Sequence, residues 1–595
     1  MKRFLMQPDG RAVSRRDFVR VSLVIGGGLM VSVYGCGPNG ETSEVSATGG
    51  SPLEPNAFVR IDTSGNVIVT SKHLEMGQGA YTGLATLIAE ELDADWSAVT
   101  VEGAGADDAK YGNATLGGLQ GTGGSSAIAN SFTQHRTAGA TARAMLVAAA
   151  AAQWNVSAAD LVTEPGVVVH APTNRRAPYG TLVTAAAGMK VPADVPLKDP
   201  KAFRYIGKEK DSTPRVDAVA KSNGTATFTQ DVKLPGMLTA LVAHAPRFGA
   251  KVRSFDATRA KAVIGVKDVV QIPTGVAVLG ETFWAAKLGR DALTVEWDET
   301  AAYTLGTPEI MAQFREAAQK PGRGVRNDGN ADGAIASAAT TVEATYEFPY
   351  LAHASMEPLN CVVDLKSEAA AVYNANQFPT TDRAAVAKIF GFAPEKVTMH
   401  TVMSGGSFGR RANPKSDYVV EAATIAKAIS GRAPVKLVWT REDDTAAGYF
   451  RPAMLHWMRG GIDASGAPVA WWQRVVGQSM MEGTMFAAPD GTDASVFEGA
   501  SDHPYAMPNV FVDVHYEKVG VPVQWWRSVG HTHTAFAVEM FVDEMAKDAG
   551  RDPLEFRRAM LAKDPRRLAV LNLAAEKAGW GAPLPAGHAR GIAVH

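Results

Sequence analysis

Residues Ser404-Gly-Gly-Ser-Phe-Gly-Arg-Arg411 set three glycines between a β-like run, Lys396–Met403, and a helix-like run, Asp417–Ile429. A glycine loop in that position lets backbone approach a ligand closely, and the start of the following helix favours an anion. Gly-rich turns are common, so this loop alone is equally compatible with a simple tight turn. Two more loops share the layout. Met76-Gly-Gln-Gly79 and Trp526-Arg-Ser-Val-Gly530 also lead into helix-like runs. Whether the three loops serve one ligand is the question that the rest of the chain has to answer.

At 595 residues the chain is too long for one core, and several domains are expected. A formal net charge of -2 gives no reason to expect nucleic acid or an anionic membrane surface as partner, and no basic block with interleaved aromatics occurs. The cysteines, Cys36 and Cys361, number two. An iron-sulfur cluster needs about four thiolates, so none can be built here. Any redox chemistry must use an organic or metal-organic cofactor, with further electron carriers on another chain.

Ser14-Arg-Arg-Asp-Phe-Val19 precedes a short, Gly-rich apolar segment, Val21–Val33. This resembles a twin-arginine export signal, and the segment is too short for a membrane span. Cys36 follows Val33-Tyr-Gly35, a partial match to a lipoprotein cleavage site with an atypical tyrosine. Residues 37–54 read as a flexible linker. The expected location is periplasmic, or membrane-attached on the periplasmic side.

Downstream, Phe58–Thr70 reads as a hairpin turning at Ser64-Gly-Asn66, and Leu84, Leu87, Ile88 and Leu92 mark a helix. The five-glycine loop Thr115–Ser126 precedes an Ala-rich helix near 134–152; it is either a flexible lid or a seat for phosphate or pterin oxygens. Short strands at 226–229, 237–243, 269–272, 275–279 and 293–297 suggest a small α+β module, and 301–335 reads as a polar connector after a short helix. His353-Ala-Ser-Met-Glu-Pro358 offers a histidine and a glutamate four apart. They are either a base with its orienter, or a hydrogen-bonded turn before proline. Cys361 reads as a small buried residue. Arg527 suits an oxyanion or phosphate, or is an ordinary surface arginine.

In this order, the motifs resemble the molybdenum-binding large subunit of the xanthine oxidase (molybdenum hydroxylase) family, nearest the isoquinoline 1-oxidoreductase β-subunit type. The carriers are Glu75–Gly79, Gly117–Ser126, Leu234–Leu238, His353–Pro358, Ser404–Gly409, Trp526–Gly530 and Phe541–Ala546. The resemblance implies a multidomain α+β fold: a signal and linker at 1–54, a molybdopterin-binding segment at 55–205, and a small α/β hammerhead-like domain at 206–300. A connector at 301–335 and a second molybdopterin-binding domain at 336–595 follow. It also implies a molybdenum-molybdopterin cofactor, commonly the cytosine dinucleotide in bacteria. Cofactor contacts carry over to Gln78, Gly79, Gly124, Ser125, Gly406, Phe408, Gly409 and Arg527, with no protein ligand to the metal. The implied activity is oxidation of an N-heteroaromatic or aldehyde substrate with oxygen from water. Electrons leave through a small 2Fe-2S subunit, and a cytochrome c is a candidate further acceptor.

Two departures qualify this. The family's catalytic glutamate lies in a C-terminal Gly-x-Gly-Glu stretch, which this sequence lacks, so the catalytic base is unassigned. The sequence then reads as a fragment or a truncated product with poor turnover. The alternative function is a cofactor-poor chain that only binds a partner or ligand. Arg410-Arg-Ala-Asn413 also stands where purine-oxidising relatives carry an acidic residue, which argues against purine substrates.

Overall fold

The computed structural model describes residues 53–208 and 213–595; the arginine pair and Cys36 lie outside them. The chain forms two compact units. One comprises the described residues of 53–239 with Asn360–Gly406 and Lys415–Val438; the other comprises Ala240–Leu359, Ser407–Pro414 and Trp439–His595.

In the first unit, strands Leu53–Asn56, Val59–Ile61, Val67–Ser71 and Val99–Gly103 form a sheet in that order, with only the last pair parallel. The hairpin turn is fixed by Asp62, whose carboxylate accepts from the N–H of Ser64 and of Asn66 and from the Asn66 amide. Helices Ala80–Leu92 and Ala127–Trp154 pack together, burying Ala85, Ile88 and Leu92 with Ala142, Met145 and Leu146. Gly139 permits the contact, because a Cβ there would meet the carbonyl of Ile88 at 2.5 Å. A second set of strands runs Val435–Val438, Asn360–Leu365, Ala370–Asn374, Val397–Thr401, again with only the last pair parallel. Helices Pro379–Phe390 and Asp417–Ala428 accompany it. Thr401 Oγ1 donates to the carbonyl of Ala104 at 2.7 Å, joining the two strand sets at their ends.

The second unit is built on a five-stranded sheet ordered Arg323–Asp328, Asn509–Tyr516, Pro468–Gly477, Met454–Ile462, Thr340–Phe348. Helices His531–Asp548 and Pro553–Met560 cover it through Trp471, Val475, Val512, Phe541, Met545 and Phe556. Glycine at 460 leaves room for Met545 and Phe541, which lie within 3.2 Å of where its Cβ would stand. The hairpin Val266–Ile272/Gly275–Gly280, the strand pair Lys251–Asp256/Thr294–Asp298 and the helix Phe283–Asp291 form the short-strand module.

Three expectations need correction. Residues 301–335 are not a connector: the helix Thr307–Ala318 buries Ile310, Met311 and Phe314, and Arg323–Asp328 is an edge strand of the sheet. Its polar composition reflects its place at the edge, where Arg323, Gly324, Asn327 and Asp328 are exposed and no residue is fully buried, not irregular structure. Residues 226–229 form no strand; the Asp231 carboxylate accepts from the N–H of Phe228 and folds Thr229–Asp231 into a 3₁₀ turn. The units also differ from the contiguous segments expected. Asn360–Gly406 and Lys415–Val438 sort with the N-terminal residues, and the segment 206–300 divides at Thr239.

Candidate functional site

The chain passes from one unit to the other inside the glycine loop, between Gly406 and Ser407, and returns between Pro414 and Lys415. Each unit therefore holds its own share of the motif residues.

In the first unit, buried Glu75 organises the Met76–Gly79 loop. Its Oε1 accepts from the N–H of Gly77 at 2.8 Å and of Gly79 at 3.3 Å, and its Oε2 accepts from the N–H of Tyr81 at 3.1 Å. A carboxylate over the first N–H groups of the helix Ala80–Leu92 does the work of a cap. Arg215 at 3.3 Å and Lys221 at 3.6 Å balance its charge. Gln78 is exposed, but its amide does not simply project outward: Nε2 donates to the carbonyl of Leu74 at 2.7 Å and Oε1 accepts from the N–H of Met76 at 2.8 Å. The amide closes its own loop, keeping one N–H and one lone pair for a ligand.

Three glycine-bearing segments meet here. The N–H of Ser404 donates to the carbonyl of Glu75 at 3.2 Å. Thr122, within Thr115–Ser126, accepts at Oγ1 from the N–H of Leu74 at 2.8 Å. Thr122 and Gln377 bond reciprocally: the Thr122 N–H donates to the Gln377 carbonyl at 2.9 Å, and Gln377 Nε2 donates to the Thr122 carbonyl at 2.6 Å. Buried Lys72 donates to Asn130 Oδ1, Gln134 Oε1 and the Gly112 carbonyl, tying the backbone just ahead of that loop to the helix Ala127–Trp154; burial pushes its ammonium down to about 8. Gly124 and Ser125 are exposed and take positive φ, 60° and 54°, immediately before that helix. A Cβ added at Gly77, Gly79, Gly117, Gly118, Gly123 or Gly124 would meet nothing within 4 Å. This glycine-lined open surface beside a helix start can admit a large ligand with anionic groups.

In the second unit, the N–H of Arg527 donates to the carbonyl of Phe408 at 2.7 Å. Gln524 Nε2 donates to the Gly409 carbonyl at 2.9 Å, and Asn413 Nδ2 donates to Gln524 Oε1 at 2.7 Å. Gly409 has φ 102°, and a Cβ there would lie 2.6 Å from the carbonyl oxygen of Trp525. Phe408 has φ 57° with its ring 39% exposed; Ser528 and Val529 have φ 82° and 50°. Left-handed backbone at a phenylalanine and a valine is costly and concentrates at sites where a loop is shaped for a ligand. Arg527 is exposed, with no acidic partner among the described residues.

His353 and Glu357 do not act on each other. His353 Nε2 bonds the Trp525 carbonyl at 3.0 Å, and burial pushes its imidazole down to about 4. The Glu357 carboxylate lies 3.0 Å from Arg411, whose side chain is wholly buried. Each member of the motif braces a different glycine loop, and a glutamate so engaged is not available as a base. Arg410, also buried, lies over the rings of Trp439 and Tyr449. The two arginines that replace the acidic residue are thus structural. Sequence reasoning gave no individual role to Glu75 or Thr122, which lie in the quoted motifs, and did not single out Gln377 or Lys72. Only Glu75 had a local signal, an acidic residue just ahead of two glycines and a helix.

Within each unit, loops with left-handed backbone run to a helix start, one holding the exposed Gln78 and the other the exposed Arg527. Each arrangement can receive part of a large, partly anionic ligand. Models described as molybdopterin cofactor-binding domains match residues 6–232 and 316–561. The chain is 32% identical to isoquinoline 1-oxidoreductase subunit beta of Brevundimonas diminuta, over 96% of this chain and 78% of that protein. It is 32% identical to the membrane-bound aldehyde dehydrogenase (pyrroloquinoline-quinone) of Gluconacetobacter polyoxogenes, over 100% of this chain and 80% of that protein. The chain belongs to the molybdopterin-binding large-subunit family of the molybdenum hydroxylases, a family of molybdopterin-dependent oxidoreductases. The fold is shared with quinoline 2-oxidoreductase from Pseudomonas putida 86 (TM-score 0.50, 18% identity), and the alignment covers 61% of this chain and 53% of that one. It is also shared with aldehyde oxidoreductase from Desulfovibrio gigas (TM-score 0.50, 18% identity), over 68% of this chain and 51% of that one. The chain thus spans about half the length of the solved structures it matches.

Proposed function

We propose that this chain is the cofactor-binding catalytic subunit of an exported molybdenum hydroxylase acting on an N-heteroaromatic, isoquinoline-like compound or an aldehyde. The observation that carries this reading is the hydrogen-bonded meeting of the Gln78, Thr122 and Ser404 loops around Glu75, in a chain of the molybdopterin-binding family.

The residues present fit the group. Gln78 and Gly79 would hold the pterin end through the free part of the amide and the backbone. Gly124 and Ser125 would hold phosphate oxygens of a dinucleotide form, taken here as the cytosine dinucleotide. Gly406, Phe408 and Gly409 would supply close backbone, and Arg527 a fixed positive charge for an oxyanion. When bound, the molybdenum-molybdopterin group supplies the two-electron chemistry that adds oxygen from water to an electron-poor carbon. The half-exposed Phe408 ring would offer an aromatic face to a flat substrate. Lacking thiolates for a cluster, the subunit delivers electrons to a separate small 2Fe-2S subunit, and a cytochrome c serves as acceptor beyond it. The twin-arginine motif supports assembly of the cofactor before export to the periplasmic side.

The test is turnover of isoquinoline and of benzaldehyde by the protein with its small subunit, using an artificial electron acceptor in ¹⁸O-labelled water. Label from water in the product is expected. Label only from dioxygen would contradict the reading.

A further inference from the structure

The exposed Arg527 stands on a short piece of backbone that is held at both ends. Upstream, its own N–H donates to the Phe408 carbonyl at 2.7 Å. Downstream, the N–H of Gly530 donates to Glu498 Oε1 at 2.8 Å. Between the anchors lie Ser528 and Val529, both left-handed, at φ 82° and 50°. Such backbone persists only where its surroundings over-determine it. Local bonds close the turn: the Val529 N–H donates to the Trp526 carbonyl at 2.7 Å, and the His531 N–H to the Ser528 carbonyl at 3.0 Å. They set its shape but not its place, since all their groups belong to the turn itself.

Glu498 is itself fixed. It lies in the crossover between the parallel strands Pro468–Gly477 and Asn509–Tyr516. The carboxylate of Asp493, 1% exposed, closes that crossover. Its Oδ2 accepts from the N–H of Met480 at 2.8 Å and of Met481 at 3.0 Å, and its Oδ1 from the N–H of Ser495 at 3.0 Å. Val496 is buried in the core of the unit. The Glu498 carbonyl accepts from Thr534 Oγ1 at 2.8 Å, in the first turn of the helix His531–Asp548. The fit at this junction is close: a Cβ at Gly530 would collide with the Ser495 carbonyl and with Glu498 Cγ, and one at Gly499 with Thr534 Oγ1. Earlier in the same crossover, Phe486 packs edge-on to Trp525, with centroids at 5.7 Å. The crossover therefore touches the Arg527 segment on both sides of the left-handed pair.

We propose that Glu498 is a positioning residue for Arg527: its side-chain oxygen pins the N–H of Gly530, and so fixes where the Ser528–Val529 turn presents the guanidinium. The helix that follows does not need this bond, because its eighteen residues are held to the sheet through Phe541, Val542 and Met545. The place of Arg527 beside the cofactor rests on the function proposed above; the pinning of its loop does not.

The experiment is amide hydrogen exchange of the purified full chain, read by mass spectrometry on a peptide spanning 525–531. The amides of Arg527, Val529, Gly530 and His531 are all bonded in the folded protein. Glu498→Ala should speed exchange of this peptide about tenfold, the effect of one lost hydrogen bond on local opening, while residues 536–548 stay protected. Glu498→Gln keeps an acceptor and should restore protection close to that of the wild type. Should the alanine variant not fold, Glu498→Asp, one methylene short, takes its place with the same expectation. Unchanged exchange in the folded variant, or glutamine no better than alanine, would overturn the proposal. Molybdenum retention is the second readout. Glu498→Ala should lower it in the wild type but no further in an Arg527→Ala background, because the two act as one unit. An equal further loss in both backgrounds would also overturn the proposal, since a merely structural defect behaves in that way. Loosened exchange with molybdenum fully kept in both Glu498→Ala and Arg527→Ala would leave the pinning in place and instead remove Arg527 from the cofactor site.

Discussion

The backbone N–H of Arg527 donates to the carbonyl of Phe408 at 2.7 Å, which makes one structure of two motifs far apart in sequence. The phenylalanine turn and the arginine loop hold each other's left-handed backbone, so damage to either should be felt in both.

Gly409→Ala tests that coupling. A side chain there needs φ 102° and sets a Cβ 2.6 Å from the Trp525 carbonyl oxygen. The unfavourable backbone alone costs about 1–3 kcal/mol. A lower unfolding temperature together with reduced molybdenum content, measured by mass spectrometry, is expected. Wild-type stability and metal content would show the loop to be less constrained than its geometry indicates.

Glu75→Ala and Gln78→Ala should separate loop construction from cofactor contact. Losing the carboxylate strands three backbone N–H groups, at about 1–3 kcal/mol for those that become buried and unmet. Losing the Gln78 amide removes two local bonds, about 1 kcal/mol each, and the atoms offered to the pterin. Glu75→Ala is expected to lower both thermal stability and molybdenum retention, and Gln78→Ala chiefly retention. Full retention in both would remove this loop from the cofactor site.

The Glu357–Arg411 pair is buried on both sides. Removing the carboxylate leaves a buried guanidinium with lost partners, so Glu357→Ala should cost about 3–5 kcal/mol in denaturant unfolding. The double variant Glu357→Leu/Arg411→Met should recover much of that loss, since an apolar pair needs no charge compensation. A double variant no better than the single one would mean that Arg411 has a further role in the loop.

Asp382 provides a pH signature. Burial raises its carboxyl to about 7, above its ordinary value of 3.8, despite the Asn376 Nδ2 bond at 2.9 Å. The folded state then holds a proton that the unfolded chain gives up between about pH 4 and 7. Stability from this group is complete below pH 4 and falls as pH rises towards 7, by up to about 1.4 kcal/mol per pH unit. Asp382→Asn should therefore gain on the wild type progressively from about pH 4 to pH 7 in thermal unfolding and level off above that. A pH-independent difference would place the proton elsewhere.

The sequence carried the elements well wherever a strong period met a clear stop. The helix Ala80–Leu92 follows Leu84, Leu87, Ile88 and Leu92, and the turn at Ser64–Asn66 closes the hairpin of Val59–Ile61 and Val67–Ser71. It failed at Arg323–Asp328, where an edge strand looks polar because most of it is exposed. Site loops were legible through glycine, which marks positions that need open space or positive φ. Their stitching was not: Thr122 with Gln377, or Glu75 with Ser404, pair across long separations that leave no local pattern. The histidine–glutamate spacing in His353–Pro358 misled in another way. Proximity in sequence suggested a pair, yet the two side chains leave the turn towards Trp525 and Arg411.

The most direct measurement is the molybdenum and cytidylate content of the purified, folded protein from a molybdenum-replete host. The account predicts about one of each per chain, falling together in Gln78→Ala. A folded wild-type preparation containing neither would contradict it.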